Sequence, residues 1–182
     1  MRLHARLPIP GVVLFAPEAY EDERGCRFES HRVNELSNIV GRRVEFRVAN
    51  ICHSVPHSLR GMHWQLFTPQ GKLVRCLHGS IFDAVVDLRV GSQTFGKWAG
   101  TRLDDENRLA IWIPPGFAHG FLCGSRGAIV HYECTTYFRP EFARELLWSD
   151  PDIGIEWPID PKYPPIISEK DRNAPPFARI AA

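Results

Sequence analysis

The stretch Gly71–Leu88, GKLVRCLHGSIFDAVVDL, carries the pattern that decides the fold. Its two halves, Gly71–Leu77 and Ser80–Leu88, are rich in β-branched and other apolar residues, which is typical of short strands. Between them, Leu77-His78-Gly79-Ser80 predicts a tight hairpin turn. We therefore expect two antiparallel strands in this part of the chain.

Similar segments recur along the sequence, separated at close intervals by Gly, Pro, Asn or Asp. They predict strands over Val44–Ile51, Leu109–Ile113, Phe117–Cys123 and Ala128–Tyr137. Only Val33–Val40 has helical character, and it is short. We therefore predict an all-β protein, a sandwich or barrel of jelly-roll type with one short helix.

The length of 182 residues indicates a single domain over residues 1–182. We expect its core over about residues 10–147 and an irregular, proline-rich C-terminal arm over about residues 148–182. A disordered tail is the alternative, but the arm contains many apolar residues, which favour packing on the barrel. These are Trp148, Ile153, Ile155, Trp157, Ile166 and Ile167. Such an arm can deliver polar residues, including Asp171, to a site.

The composition excludes several classes of partner. The net charge is +1, and no segment approaches the roughly 20 apolar residues of a membrane span, so we expect neither nucleic acid nor a membrane as a partner. The five cysteines are odd in number and form no C-x-x-C pair. We expect reduced thiols in a cytoplasmic protein.

His63, within LRGMHWQ, is a candidate metal ligand, core residue or base. Metal-binding barrels of the cupin type often pair H-x-H with P-x-G-x-x-H. Here Pro114, Gly116 and His119 provide the second motif, but the first has Gln65 in place of its second histidine. Two histidines are a poor ligand set for catalytic zinc, so we predict no metal.

Strand alternation places Gly61, His63 and Gln65 on one face, and Arg60, Met62 and Trp64 on the other unless a bulge intervenes. Lys72 would arrive on the next strand. Burying these polar groups without partners would be costly, so we predict a polar pocket and a functional role for His63.

The sequence resembles the dTDP-4-dehydrorhamnose 3,5-epimerases and related nucleotide-sugar epimerases over nearly its whole length. The matching motifs are DERG (22–25), LRGMHWQ (59–65), QGKLVR (70–75), GSIFDAVVDLR (79–89), TFGKW (94–98), WIPPGFAHGF (112–121), WSDP (148–151), IEWP (155–158) and SEKD (168–171). The resemblance implies a cupin-like jelly-roll β-barrel and a homodimer that exchanges N-terminal strands. It also implies an isomerase without cofactor that epimerises a nucleoside-diphosphate 4-keto-6-deoxy sugar.

The resemblance also implies roles for four residues. His63 matches the base that removes a proton beside the ketone, and Asp171 matches the residue that orients it. Lys72 matches the cation that stabilises the enolate oxygen, and Tyr132 matches the proton donor on the opposite face of the sugar. An aspartate beside a histidine can adjust the pKa of the imidazole so that it exchanges protons near neutral pH.

Other matches concern substrate binding. Arg24, Arg60 and His119 match positions that contact or neighbour the diphosphate, and Arg24 is expected from the neighbouring subunit. Three further residues match polar positions in the ligand cleft of the family, namely Glu29, Asn50 and Asp83. Asp83 could equally be a structural partner of a neighbouring cation.

Three positions near the expected nucleobase depart from the family pattern. Cys26 replaces an aromatic residue, Val48 a glutamine and Phe138 a tyrosine. The sequence therefore does not decide whether the nucleotide is dTDP, GDP or CDP. It also does not decide whether carbon 3, carbon 5 or both are inverted. Two other functions also stay open: a keto-sugar isomerase of the same fold, and a non-catalytic nucleotide-sugar-binding module.

Overall fold

The computed structural model describes residues 1–180 and contains mostly short strands. The α-helices are α1 (Val33–Val40) and α2 (Glu169–Arg172), and 3₁₀ turns cover Pro140–Phe142 and Phe177–Arg179. The strands are β1 (Arg2–Arg6), β2 (Val13–Ala16), β3 (Ala19–Asp22), β4 (Gly25–Phe28), β5 (Val48–Ser54), β6 (Ser58–Gln65), β7 (Lys72–Asp87), β8 (Trp98–Asp104), β9 (Ala110–Ile113), β10 (Phe117–Cys134), β11 (Ala143–Glu145) and β12 (Ile166–Ile167). The all-β prediction is confirmed, and α1 has the predicted bounds.

The two longest strands, β7 and β10, run through both walls of a barrel. The first half of β7 pairs with β9 and with the second half of β10. The second half of β7 pairs with β8 and with the first half of β10. One wall is completed by β1, β2 and β5, and the other by β6, β11 and β12. This two-walled arrangement of antiparallel strands is the predicted jelly roll.

The predicted hairpin turn at Leu77-His78-Gly79-Ser80 is wrong, because Lys72–Asp87 is one continuous strand. Gly79 has a φ of +75°, and a Cβ added there would overlap the carbonyl oxygen of Gly127 on β10. The glycine therefore bends the strand from one wall into the other and does not reverse the chain.

Two other boundaries differ from the prediction. The strands expected over 117–123 and 128–137 form the single strand β10, whose pairing with β7 changes register between Cys123 and Ala128. The strand expected over Val44–Ile51 begins only at Val48 and extends to Ser54. Val44 instead joins the apolar cluster that covers α1.

Apolar side chains fill the space between the walls and also hold the arm. The residues of the main cluster include Val74, Val85, Ile111, Phe121 and Val130. A second cluster seats Leu36 of α1 against Trp112 on the outside of the barrel.

The C-terminal arm packs on the barrel as predicted. Ile153 and Trp157 join a cluster with Met62 of β6. Further along, β12 pairs in parallel with the start of β6. This pairing leads directly into α2 and brings Asp171 to the barrel.

A separate hairpin, β3–β4, is largely exposed and does not join the main sheet. The five cysteines are all free, as predicted. Within residues 1–180, no helix is long and apolar enough to cross a membrane.

Candidate active site

A cavity of about 400 Å³ opens between β6, β7, β10 and the C-terminal arm. We call it the first cavity. Its lining is Cys52, Ser58, Leu59, Arg60, His63, Lys72, His119, Gly120, Phe121, Tyr132, Ile166, Ser168, Lys170 and Asp171. All four predicted catalytic residues therefore lie in one cavity.

An adjoining cavity of about 650 Å³, the second cavity, shares part of this lining. The shared residues are His63, Lys72, Tyr132 and Lys170. Asn50 and Phe138, both predicted binding residues, line the second cavity, as does Val48. The four shared side chains therefore lie where the two cavities adjoin.

His63 and Asp171 form a close pair. Nε2 of His63 lies 2.6 Å from Oδ1 of Asp171, and Oδ2 of Asp171 accepts the backbone N–H of Gly61 at 3.1 Å. Burial acts to raise the pKa of Asp171, but its bonds to His63 and Gly61 and the neighbouring imidazole outweigh this and hold it below its ordinary value. Asp171 is therefore an ionised acceptor that fixes the imidazole.

A bulge in β6 turns Arg60 and His63 to the same side. His63 lies opposite His119 on β10, whereas Arg60 lies opposite Phe121, so three steps on β6 match two on β10. Strand alternation separates Arg60 from His63 only in the absence of a bulge, and this bulge brings both side chains to the first cavity.

Gln65 lines the second cavity together with His63, in agreement with their predicted shared face, and its amide also supports the surrounding loops. Its side-chain nitrogen donates to the carbonyl oxygens of Thr68 at 2.9 Å and Tyr137 at 3.2 Å. Its side-chain oxygen accepts the backbone N–H of Arg139 at 2.5 Å. Gln65 is buried and borders the second cavity.

Lys72 begins β7 and lies opposite Cys134 on β10. Burial lowers the pKa of Lys72 below its ordinary value, and Cys134 and Asp83 offset this only in part. Desolvation strengthens the interaction of such an ammonium group with negative charge that develops beside it.

His119, which lines the first cavity, forms a buried pair with Asp83. Nε2 of His119 lies 2.8 Å from Oδ2 of Asp83. Burial lowers the pKa of His119, and Asp83 counteracts this only in part. Asp83 does not line either cavity. This contact favours the structural interpretation of Asp83, as the partner of a neighbouring side chain.

Tyr132 lies in the second half of β10, between Val74 of β7 and Asn50 of β5. Tyr132 is partly buried, and burial raises the pKa of its hydroxyl group. The phenol therefore keeps its proton at neutral pH and can act as a proton donor.

Two predicted binding residues lie outside both cavities of their own chain. Arg24, at the turn of the β3–β4 hairpin, forms an exposed ion pair with Asp22. Glu29 pairs with Arg32, its carboxylate lying 2.6 Å from Nε. The structure of one chain thus does not bring Arg24 and Glu29 to the remaining site residues.

Some residues at the site carried no role in the sequence prediction. Lys170 lines both cavities and forms an ion pair with Glu145, which lies opposite His63 on β11. Ser168 caps α2 by accepting the backbone N–H of Asp171 at 3.1 Å. Because Lys170 directly precedes Asp171 in the sequence, its presence at the site could have been predicted. Nothing in the sequence pointed to Glu145.

No group of three or more His, Cys, Asp or Glu side chains within residues 1–180 is arranged to hold a metal ion. The two histidines of the metal-like motif are instead engaged by carboxylates, His63 by Asp171 and His119 by Asp83. In each pair, one ring nitrogen of the histidine faces an aspartate oxygen. A carboxylate in this position fixes the orientation of an imidazole ring.

The family model for dTDP-4-dehydrorhamnose 3,5-epimerase matches residues 6–179. This chain belongs to that family. The enzyme of that name from Methanothermobacter thermautotrophicus is 48% identical over 169 residues, which are 93% of this chain and 91% of the relative. Family membership confirms the prediction of an epimerase, which is a kind of isomerase.

Solved structures agree with this assignment. The dTDP-4-dehydrorhamnose 3,5-epimerase of Elizabethkingia anophelis has a TM-score of 0.92 and 38% identity, covering 98% of this chain and 97% of that one. The epimerase of Legionella pneumophila, in complex with dTDP-4-keto-L-rhamnose, has a TM-score of 0.92 and 37% identity, covering 98% and 96%. The cupin-like jelly roll is thereby confirmed.

Proposed function

We propose that this protein epimerises a nucleoside-diphosphate 4-keto-6-deoxy sugar at carbon 3, carbon 5 or both, without a cofactor. The product would serve deoxysugar or surface-polysaccharide biosynthesis. The observation that carries the proposal is the convergence of the His63–Asp171 pair, Lys72 and Tyr132 on one cavity. The keto sugar bound to the Legionella pneumophila relative supports the same class of substrate.

The first step is removal of a proton from a carbon beside the ketone. With Asp171 ionised, Nε2 of His63 carries the hydrogen of their 2.6 Å bond, so Nδ1 holds the free lone pair. His63 takes the proton and becomes an imidazolium ion. Asp171 stabilises that positive charge and keeps the ring oriented.

The electrons of the broken C–H bond move to the ketone oxygen, which becomes an enolate. In this proposal the ammonium group of Lys72 faces that oxygen. A desolvated cation aimed at developing negative charge is worth several kcal/mol in mechanisms of this type. Its burial at the start of β7 is the arrangement this step needs.

Inversion requires a proton from the other face of the sugar. Tyr132 supplies it in our proposal, because it projects into the cavity from β10 while His63 projects from β6. The raised pKa of Tyr132 keeps the donor protonated. A base alone would return the proton to the same face and restore the substrate.

The diphosphate would be bound by Arg60 and, from a second subunit, by Arg24. Guanidinium groups suit multidentate recognition of phosphate. We propose a homodimer, supported by the exposed β3–β4 hairpin that carries Arg24 and by the unpaired edge of β5, with Ile51 70% exposed. Sedimentation at twice the 20.7 kDa chain mass would support the dimer, and a monomer alone would contradict it.

We place the protein in the cytoplasm. Five free thiols suit a reducing compartment. Fractionation of cells that carry a tagged chain tests this, and recovery with the membrane or outside the cell would contradict it.

The decisive experiment follows the sugar in deuterated water. The purified protein is mixed with dTDP-4-keto-6-deoxyglucose, and proton NMR records the signals at carbons 3 and 5. Loss of either signal identifies proton removal at that centre, and an inverted product establishes epimerisation. His63→Asn is the matched variant, in which exchange should stop while the nucleotide still binds.

The same assay separates the alternatives. A product with a moved carbonyl would indicate a keto-sugar isomerase. Binding without exchange for dTDP-, GDP- and CDP-linked sugars would indicate a binding module and overturn the proposal.

A further inference from the structure

Ser54, a residue outside the motifs of the sequence, makes a specific contact with the predicted phosphate-binding arginine. Nε of Arg60 donates a hydrogen bond of 2.9 Å to Oγ of Ser54. Ser54 is the last residue of β5, is only 4% exposed and does not line the first cavity. It therefore touches Arg60 from behind the cavity wall.

This bond leaves the other edge of the guanidinium group available. Within residues 1–180, the two terminal nitrogens of Arg60 have no hydrogen-bond or ion-pair partner, and the side chain lines the first cavity. Because the group is planar, holding Nε from one side sets the direction in which the terminal fork points. That direction is toward the cavity.

Ser54 is itself held in place. It pairs with Ala128 on β10, and the neighbouring Gly127 has a φ of +71°. A Cβ added to Gly127 would lie 2.6 Å from the carbonyl oxygen of Ser54, so the two backbones approach as closely as glycine allows. The Ser54 hydroxyl also lies 3.4 Å from Sγ of Cys52, a cavity-lining residue on the same strand.

We propose that Ser54 is a positioning residue for the substrate diphosphate. It fixes the guanidinium group of Arg60 before the substrate arrives, which reduces the side-chain entropy lost on binding. The inference rests on the proposed function, in which Arg60 binds the diphosphate. The phosphates are remote from the reacting carbons. Ser54 therefore contributes equally to binding of the substrate and of the transition state.

The test is Ser54→Ala. We expect KM for the nucleotide sugar to rise about two- to tenfold with kcat unchanged, because the substrate must then order the Arg60 side chain itself, at a cost of about 0.5–1.5 kcal/mol. Inhibition by inorganic pyrophosphate should weaken by about the same factor. Ser54→Thr, which keeps the hydroxyl, should have the KM and the pyrophosphate inhibition of the parent protein. Ser80→Ala, on β7 and outside both cavities, is the matched control and should change neither.

A second comparison protects the test from a general loss of structure. In an Arg60→Ala background, Ser54→Ala should have no further effect on KM, because the residue through which it acts is gone. Additive losses would show a structural role and overturn the proposal. So would an unchanged KM in Ser54→Ala alone. If the parent protein neither exchanged protons nor bound pyrophosphate, the proposed function would fall together with this inference.

Discussion

The carboxylate of Asp171 lies 2.6 Å from the imidazole of His63, although 108 residues separate them in the chain. His63 lies on β6, and Asp171 lies in the first turn of α2, capped by Ser168. The C-terminal arm therefore completes the catalytic pair, and the apolar packing of the arm on the barrel supports catalysis as well as stability.

Asp171→Asn should lower kcat by about 100-fold or more, the usual contribution of a positioned acid–base group, and leave KM nearly unchanged. The asparagine oxygen can still accept the N–H of Gly61, so the fold should persist. Rates of deuterium incorporation measure the effect. Asp160→Asn, an exposed arm residue outside the cavities, is the control and should keep the parent rate. An Asp171→Asn variant at the parent rate would contradict the assignment.

Tyr132→Phe should separate proton removal from inversion. The base is intact in this variant, so deuterium should still enter at the attacked carbon. Without the phenol, reprotonation from the opposite face should slow by about 100-fold. NMR of the sugar distinguishes labelled substrate from inverted product. Inversion at the parent rate would show that another group is the donor.

The alkaline limit of activity should depend on Lys72. Only the protonated amine stabilises the enolate. Because burial lowers the pKa of Lys72 from its ordinary value of 10.5, the amine should lose its proton at a pH lower than 10.5. We therefore expect kcat to fall with rising pH before pH 10.5 is reached. Tyr132 has a raised pKa and would lose its proton later. In Lys72→Arg, the limit should move to higher pH, because arginine stays charged. A limit that moved in Tyr132→Phe instead would reverse the assignment.

The strands could be predicted because their residues alternate or form short apolar runs, which is a local property. The course of β7 could not, because Gly79 serves a turn or a bend equally well, and the choice depends on its close approach to Gly127 on β10. The local pattern left open whether a bulge interrupts β6, and only the pairing with β10 shows the bulge that brings Arg60 beside His63.

The candidate site shows the same division. The polar neighbours of His63 predicted a functional residue, whereas the catalytic roles of His63, Lys72, Tyr132 and Asp171 follow from the family resemblance. The partner relationships are tertiary: Asp83 bonds His119, and the remaining residues of the cavity come together only through the fold.

Gly79→Ala should reduce the free energy of unfolding by about 2 kcal/mol or more, because a positive φ is strained for alanine and its Cβ overlaps the β10 backbone. Gly91→Ala is the matched control. Gly91 has a φ of +79° but open space around it, so only the conformational cost of about 1 kcal/mol should remain. Urea unfolding measures both. Equal losses would show that the close approach contributes nothing.

Phe138 should determine how firmly the nucleobase is held. Its ring lines the second cavity and is 62% exposed, so it is available for stacking. Phe138→Ala should raise KM about tenfold with kcat unchanged, because stacking of a base on an aromatic ring contributes about 1–3 kcal/mol. Phe138→Tyr keeps the ring and should retain the parent KM. Titrations with dTDP, GDP and CDP measure the effect for each base. An alanine variant that bound all three as tightly as the parent would place the base elsewhere.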